Sequence, residues 1–311
     1  MRDRANALQL VALLVTITRR LHVAGIKAIS IKGPTLAAIA FGDASLRQCR
    51  DLDILIPPDQ VERALAILQT DFRLIEPAGF SAPDQLHLWV RMMKDISLLH
   101  EPTGLIIELH WRLNANPYLM PATIEASRQA VTFGSDALET LAPVDLVLYL
   151  CVHGAKHYWF RLKWLADVHA LLAHDDAEKI AQFYNHACSH GLDVPAGQML
   201  LMLEEVYGVA IPPITRARAI SSWKVRWSTR LALRYLHAVE EPGRLRLATT
   251  SMALGRLLLH RHPLYAVREV GVMLIDWPVA LKLGGSRWTY VVAIIGRPVF
   301  WAVRKIKPQA T

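Results

Sequence analysis

The chain has 311 residues, 53% hydrophobic and 20% charged, enough for one large domain or two ordinary ones, and its composition excludes a low-complexity or disordered chain. Its three cysteines, Cys49, Cys151 and Cys188, stand far apart and give neither a metal-ligand pair nor a disulfide framework, which fits a reducing cytosol. The net charge of +8 is unevenly placed: of 35 Lys/Arg and 27 Asp/Glu, residues 211–311 hold 17 and 4, so the basic character belongs to the C-terminal third and residues 1–210 are mildly acidic.

Arg2 and Arg4 precede an apolar run over 7–17. The run is too short to span a bilayer, and no small-x-small cleavage site follows it. Leu8, Val11, Leu14 and Val15 recur at helical spacing, which predicts an amphipathic helix packed on the domain. Residues 26–31 read as a strand. Lys32-Gly33-Pro34 ends it, and a short helix follows over 34–41 with Pro in its first turn. Glycine at such a turn permits close backbone approach, and the helix N-terminus offers free N–H groups to a phosphate beside the Lys32 charge.

The next stretch, Arg47-Gln48-Cys49-Arg50-Asp51-Leu52-Asp53-Ile54-Leu55-Ile56, reads as a buried strand stopped by Pro57-Pro58. Side chains alternate along a strand, so Asp51 and Asp53 project from one face, roughly 7 Å apart. Paired carboxylates on a rigid face suit Mg²⁺, which takes hard oxygen ligands completed by phosphate oxygens. A bare D-x-D also fits two surface carboxylates on an open strand face. Asp59 is expected to cap a helix running to about Thr70, with Val61, Leu65 and Leu68 on one face. Residues 93–100 and 104–111 read as two strands joined by Glu101-Pro102-Thr103-Gly104. Glu108 is a lone carboxylate in the second of them, so it must be exposed, paired or metal-bound. His110 shares its face.

From Pro143 long helical periodicities take over, at 143–156, 160–173, 177–190 and 195–207, and Pro212-Pro213 breaks the chain. His153, Lys156 and His157 fall on one helical face. Phosphate or nucleotide contact, a zinc pair and core histidines are all open readings there, with no third zinc ligand evident. Arg161, Lys163, Trp164 and Asp167 follow on the next helix. Asp167 is expected to orient a basic neighbour, and Trp164 reads as core.

Strand, Gly turn, helix, D-x-D strand and a later single-acid strand follow the order of the polymerase-β-like nucleotidyltransferase superfamily. The chain more closely resembles the bacterial uncharacterised nucleotidyltransferase family through Ile31-Lys32-Gly33-Pro34, Arg47 with Asp51-Leu52-Asp53, Glu108-Leu109-His110-Trp111, His153-Gly154-Ala155-Lys156-His157 and Arg161-Leu162-Lys163-Trp164-Leu165-Ala166-Asp167. The resemblance spans about residues 25–172. It implies an α+β fold, a small mixed sheet of the nucleotidyltransferase type with flanking helices, followed by a helical domain. It also implies Mg²⁺-dependent transfer of a nucleoside monophosphate from an NTP to a hydroxyl-type acceptor.

In that reading Asp51, Asp53 and Glu108 are catalytic and hold two Mg²⁺ ions. Lys32, Gly33, Arg47, Arg50, His110, His153, Lys156, His157, Arg161, Lys163 and Asp167 bind the nucleotide or its phosphates. Arg50 serves equally well as an ion-pair partner of Asp51 or Asp53. Gly33-Pro34 stands where the superfamily usually has Gly-Ser, leaving Lys32 or Thr35 to meet the terminal phosphate, or nucleotide binding altered.

The expected division is an α/β domain at 1–125, a helical domain at 143–210 completing the nucleotide site, and a basic Arg/Trp-rich helical region at 211–311. In that last region 271–283 and 291–303 are apolar but interrupted, each too short to cross a bilayer. A solvated helical face and peripheral contact with an anionic membrane both fit the charge. Nucleic acid fits it least, since no recognition motif accompanies the charge. The expected location is cytoplasmic, with peripheral attachment to the inner membrane face as the alternative. The acceptor is left open among protein, peptide, sugar and other small molecules. A non-catalytic nucleotide-binding regulator and a membrane-surface accessory protein are the rival functions.

Overall fold

The computed structural model describes residues 2–77, 79–80, 83–120, 127–236 and 246–274. Helix α1 (Arg2–Val23) opens the chain. Its buried stripe is Ala7, Leu10, Leu14, Ile17 and Leu21, while Leu8 is exposed and Val11 and Val15 are half-buried. The expected helix is present, but it is turned from the expected stripe. The observed positions carry an apolar residue along the helix's whole length, so that face buries more surface against the sheet.

Strand β1 (Ile29–Ser30) is shorter than the expected 26–31 strand, and α2 (Pro34–Phe41) starts on the proline. β2 (Asp51–Leu55) carries the paired acids. A 3-10 turn at Pro58–Gln60 then leads into α3 (Val61–Leu68). The turn places Gln60 at the cap with no side-chain bond, so Asp59 does not cap the helix; its carboxylate accepts from the Gln60 side chain instead. β3 (Phe72–Glu76) and α4 (Pro83–Met92) lead to the hairpin of β4 (Asp95–His100) and β5 (Leu105–His110).

These strands form one sheet in the order β1-β2-β5-β4-β3. β2 and β5 are parallel and the other neighbours antiparallel, so the sheet is mixed. A second hairpin, β6 (Arg128–Phe133) with β7 (Asp136–Leu141), follows. It lies between the two expected domains, in a stretch for which no element is predicted.

The rest of the described chain is helical. α5 (Pro143–Lys156), α6 (Leu162–Leu172), α7 (Ala177–Ser189) and α8 (Asp193–Tyr207) match the four expected helices closely. α9 (Pro213–Ser221), α10 (Trp223–Leu236), α11 (Arg246–Arg256) and α12 (Pro263–Leu274) follow Pro212. One core lies between α1, α3, α4 and the sheet. A second lies among α5–α10 and takes in Ile29, Ile31, Leu36 and Leu55 from the sheet side. The apolar stretch at 291–303, and all of 271–283 beyond Leu274, lie outside the described residues. Among the described residues no helix is long and apolar enough to cross a membrane.

Candidate active site

Parallel pairing sets Asp53 of β2 beside Glu108 of β5, and Leu55 beside His110. Leu52, Ile54, Ile107 and Leu109 turn into the sheet core, so the alternating residues Asp51, Asp53, Glu108 and His110 share the other face. A cavity of about 410 Å³ opens on that face. β2 and β5 line it with these four residues. α5 and α6 close it with Tyr149, His153, Lys156, His157, Lys163 and Trp164, and Arg161 lies between those helices.

Asp53 is 3% exposed, with Lys32 Nζ at 3.1 Å from its Oδ1. Burial works against charge on Lys32, but the Asp53 carboxylate outweighs it and holds the amine above its ordinary range. Burial likewise opposes charge on Asp53, and Lys32 with His110 outweighs it, holding Asp53 below the usual carboxylate range. His110 Nε2 sits 3.2 Å from both Asp53 Oδ1 and Glu108 Oε2. Burial and the Lys94 charge lower His110, while its bonds to the two carboxylates prevail and raise it. Asp51, half-buried, is raised by burial and then by the charges of Asp53 and Glu108.

Ligand atoms of Asp53, Glu108 and His110 all lie within 4.8 Å of one another, a grouping that can hold a metal ion. Two facing carboxylates with Asp51 on the same strand face fit a divalent cation taking oxygen ligands. The positive charge facing Asp53 comes from Lys32 and His110.

Arg47 lines the cavity and is held from behind. Its Nε donates to Asp167 Oδ1 at 2.8 Å, and Asp167 is 1% exposed, so this acid orients the arginine rather than facing the cavity. Lys163 donates to the Gln48 carbonyl, and the Arg161 guanidinium lies over the Phe160 and Trp164 rings. His153 and His157 pack against each other and against Trp164. Burial, then Lys32, holds His153 well below its ordinary value; burial, then Lys156, lowers His157 to about 3. Both are neutral rings at pH 7, and among the described residues neither joins a group of metal-ligating atoms. Lys156 donates to Asn114 Oδ1, and burial followed by the Arg256 charge lowers it to about 8.

Besides Asp167, three expected residues stand elsewhere. Gly33 does not line the cavity; its φ of 68° fits glycine, and it shapes the turn that presents Lys32. Thr35 is buried and its hydroxyl donates to the Lys32 carbonyl, so of the two residues left by the missing serine only Lys32 faces the cavity. Arg50 is exposed and lines a separate cavity of about 200 Å³ beside α1; among the described residues no ion pair joins it to Asp51 or Asp53.

Sequence reasoning passed over Lys94, Asp95, Asn114 and Tyr149, all of which line the cavity. Tyr149 was within reach, since it stands four residues before His153 on the same helical face. Asp95 was within reach only through pairing, because it is the register partner of His110.

Between α5 and α6 the chain passes through Tyr158 and Trp159, both with φ near +50°. Two such residues in succession are strained and persist only where surroundings enforce them. Here the Trp159 indole is buried against Gly154, where an added Cβ would lie 2.5 Å from ring carbons. Gly154→Ala is therefore expected to destabilise the fold by about 1–3 kcal/mol through overpacking. Urea unfolding checks this, and an unchanged midpoint would mean the indole can move.

A mixed sheet with two acids on one strand, a third on its parallel neighbour, and a cation-rich helical wall over them defines a nucleotidyltransferase-type domain. The family model described as uncharacterised nucleotidyltransferase matches residues 2–208, and the chain belongs to that family. No curated protein matches the chain.

Proposed function

We propose that the chain transfers a nucleoside monophosphate from a Mg²⁺-bound NTP to a hydroxyl-type acceptor. One observation carries this reading: Asp51, Asp53 and Glu108 line one cavity with Lys32, Arg47, Lys94, Lys156, Arg161 and Lys163. Carboxylates for a divalent cation and an excess of fixed positive charge around them are what a triphosphate requires.

Asp51, Asp53 and Glu108 would hold the metal, which when bound neutralises phosphate charge and draws acceptor and leaving oxygens into line. Lys32 and the Asp167-held Arg47 bind phosphate oxygens. The acceptor hydroxyl oxygen bonds to the α-phosphorus, the bond from that phosphorus to the bridging oxygen of the β-phosphate breaks, and pyrophosphate leaves. Glu108, whose side chain is 33% exposed, takes the hydroxyl proton. In this division residues 1–125 bring the acids, residues 143–210 complete the nucleotide site, and 211–311 are a basic, Arg/Trp-rich region whose helices α9 and α10 share the core of α5–α8.

A second reading, a nucleotide binder without turnover, rests on Gly33-Pro34 and on the Lys32–Asp53 pair that already neutralises the inner acid. Both readings require binding. A ligand at about one hundred times its Kd stabilises the folded state by about 2.7 kcal/mol. Mg·NTP is thus expected to raise the unfolding temperature by a few degrees, and NTP with a chelator much less. No shift with any NTP would remove both readings.

A further inference from the structure

Helix α12 is amphipathic in the inverse sense. Its buried side chains are Tyr265 and Glu269, while Leu264, Val267, Val270 and Leu274 are 57%, 69%, 37% and 40% exposed. At 3.6 residues per turn these four aliphatics fall within roughly 120° of arc, opposite the buried side. The rotation is fixed. Glu269 is fully buried, its Oε1 accepts two bonds from Arg256, and its Oε2 accepts from Asn116 Nδ2 at 3.0 Å. Turning the aliphatics inward would break a buried pair and leave a charge uncompensated. The apolar stripe is therefore built to face outward.

We propose that this stripe docks on an anionic lipid surface, independently of the reaction at the acidic cavity. Charge complementarity selects that occupant. Arg268 is exposed and borders the stripe, and α10, in the same C-terminal region, exposes Arg226, Arg230 and Arg234. Residues 211–311 hold 17 Lys/Arg against 4 Asp/Glu. A helix with aliphatics on one side, a basic residue at their border and a net positive charge in the region around it lies in the headgroup region, held by apolar burial and by attraction to anionic headgroups.

The test is flotation of the full chain with vesicles of phosphatidylcholine alone or with phosphatidylglycerol. Binding is expected to the anionic vesicles in about 0.05 M salt, with release near 1 M, where the screening length falls to about 3 Å. The neutral vesicles should not be bound. Val267→Glu should weaken binding about tenfold or more with the unfolding temperature kept. Should that variant unfold, Arg268→Gln decides, with weaker binding and a shallower salt dependence expected.

A wild-type chain that ignores anionic vesicles at low salt overturns the proposal, as does Val267→Glu binding like wild type. A wild-type dimer in light scattering that Val267→Glu returns to monomer would assign the stripe to a second copy. Destabilisation by Val267→Glu together with no wild-type flotation would assign it to a contact within the chain. Neither nucleotide binding nor its absence alters these outcomes.

Discussion

Asp53→Asn is expected to abolish nucleotidyl transfer and to cost about 3 kcal/mol of stability, whereas Asp51→Asn should abolish transfer and leave the metal-free protein more stable at pH 7. Both residues come from one D-x-D, but the structure separates them. Asp53 is buried against Lys32 and His110, so neutralising it leaves Lys32 in a low-dielectric site without its counter-charge. Asp51 has no such partner among the described ion pairs, and burial with two neighbouring carboxylates disfavours its charge. The pH dependences run in opposite senses. Asp53, held below the ordinary range, contributes stability present above the unfolded carboxylate value near 3.9 and lost as pH falls. Asp51, held above it, contributes stability present below that value and lost as pH rises through its folded value. Denaturant unfolding of both variants at neutral and acidic pH checks this. Equal shifts of the same sign would contradict the division of roles.

Glu108→Gln is expected to lower turnover by about 10²–10⁴-fold while nucleotide affinity changes much less. The substitution keeps shape and hydrogen-bonding capacity but removes the base proposed for the acceptor hydroxyl. Glu108 is the partly exposed member of the facing pair Asp53 and Glu108, so it is the one an acceptor can reach. Losses confined to kcat, with KM for the NTP nearly kept, mark a group acting in the transition state. Equal losses in binding and turnover would place Glu108 in the structural frame beside His110 instead.

Much of this site was legible in the sequence because strand alternation and helical spacing are local rules. Asp51 with Asp53, Glu108 with His110, and His153 with Lys156 and His157 each share a face by spacing alone, and all of them line the cavity. What spacing cannot give is which partner each charge meets. Asp51 and Asp53 read as an equivalent pair on one strand face, yet Lys32 compensates only the inner acid. Arg50 reads as a phosphate ligand by its place beside Asp51, but it falls on the α1 side of the strand.

The strands passed over are those with weak patterns. β3 and β6 are half-exposed, and β7 is stabilised by its partner strand and by packing that no local window contains. The face of α1 was misread because two overlapping stripes exist, and only the sheet decides between them.

The most direct measurement of the proposed chemistry follows two labels with purified protein, Mg²⁺ and a cell lysate as the source of acceptor. NTP labelled at the α-phosphate should leave acid-stable label on an acceptor, NTP labelled at the γ-phosphate should release it as pyrophosphate, and Asp53→Asn should do neither. Label retained from the γ-position, or α-label transferred equally by Asp53→Asn, would contradict nucleotidyl transfer at this site.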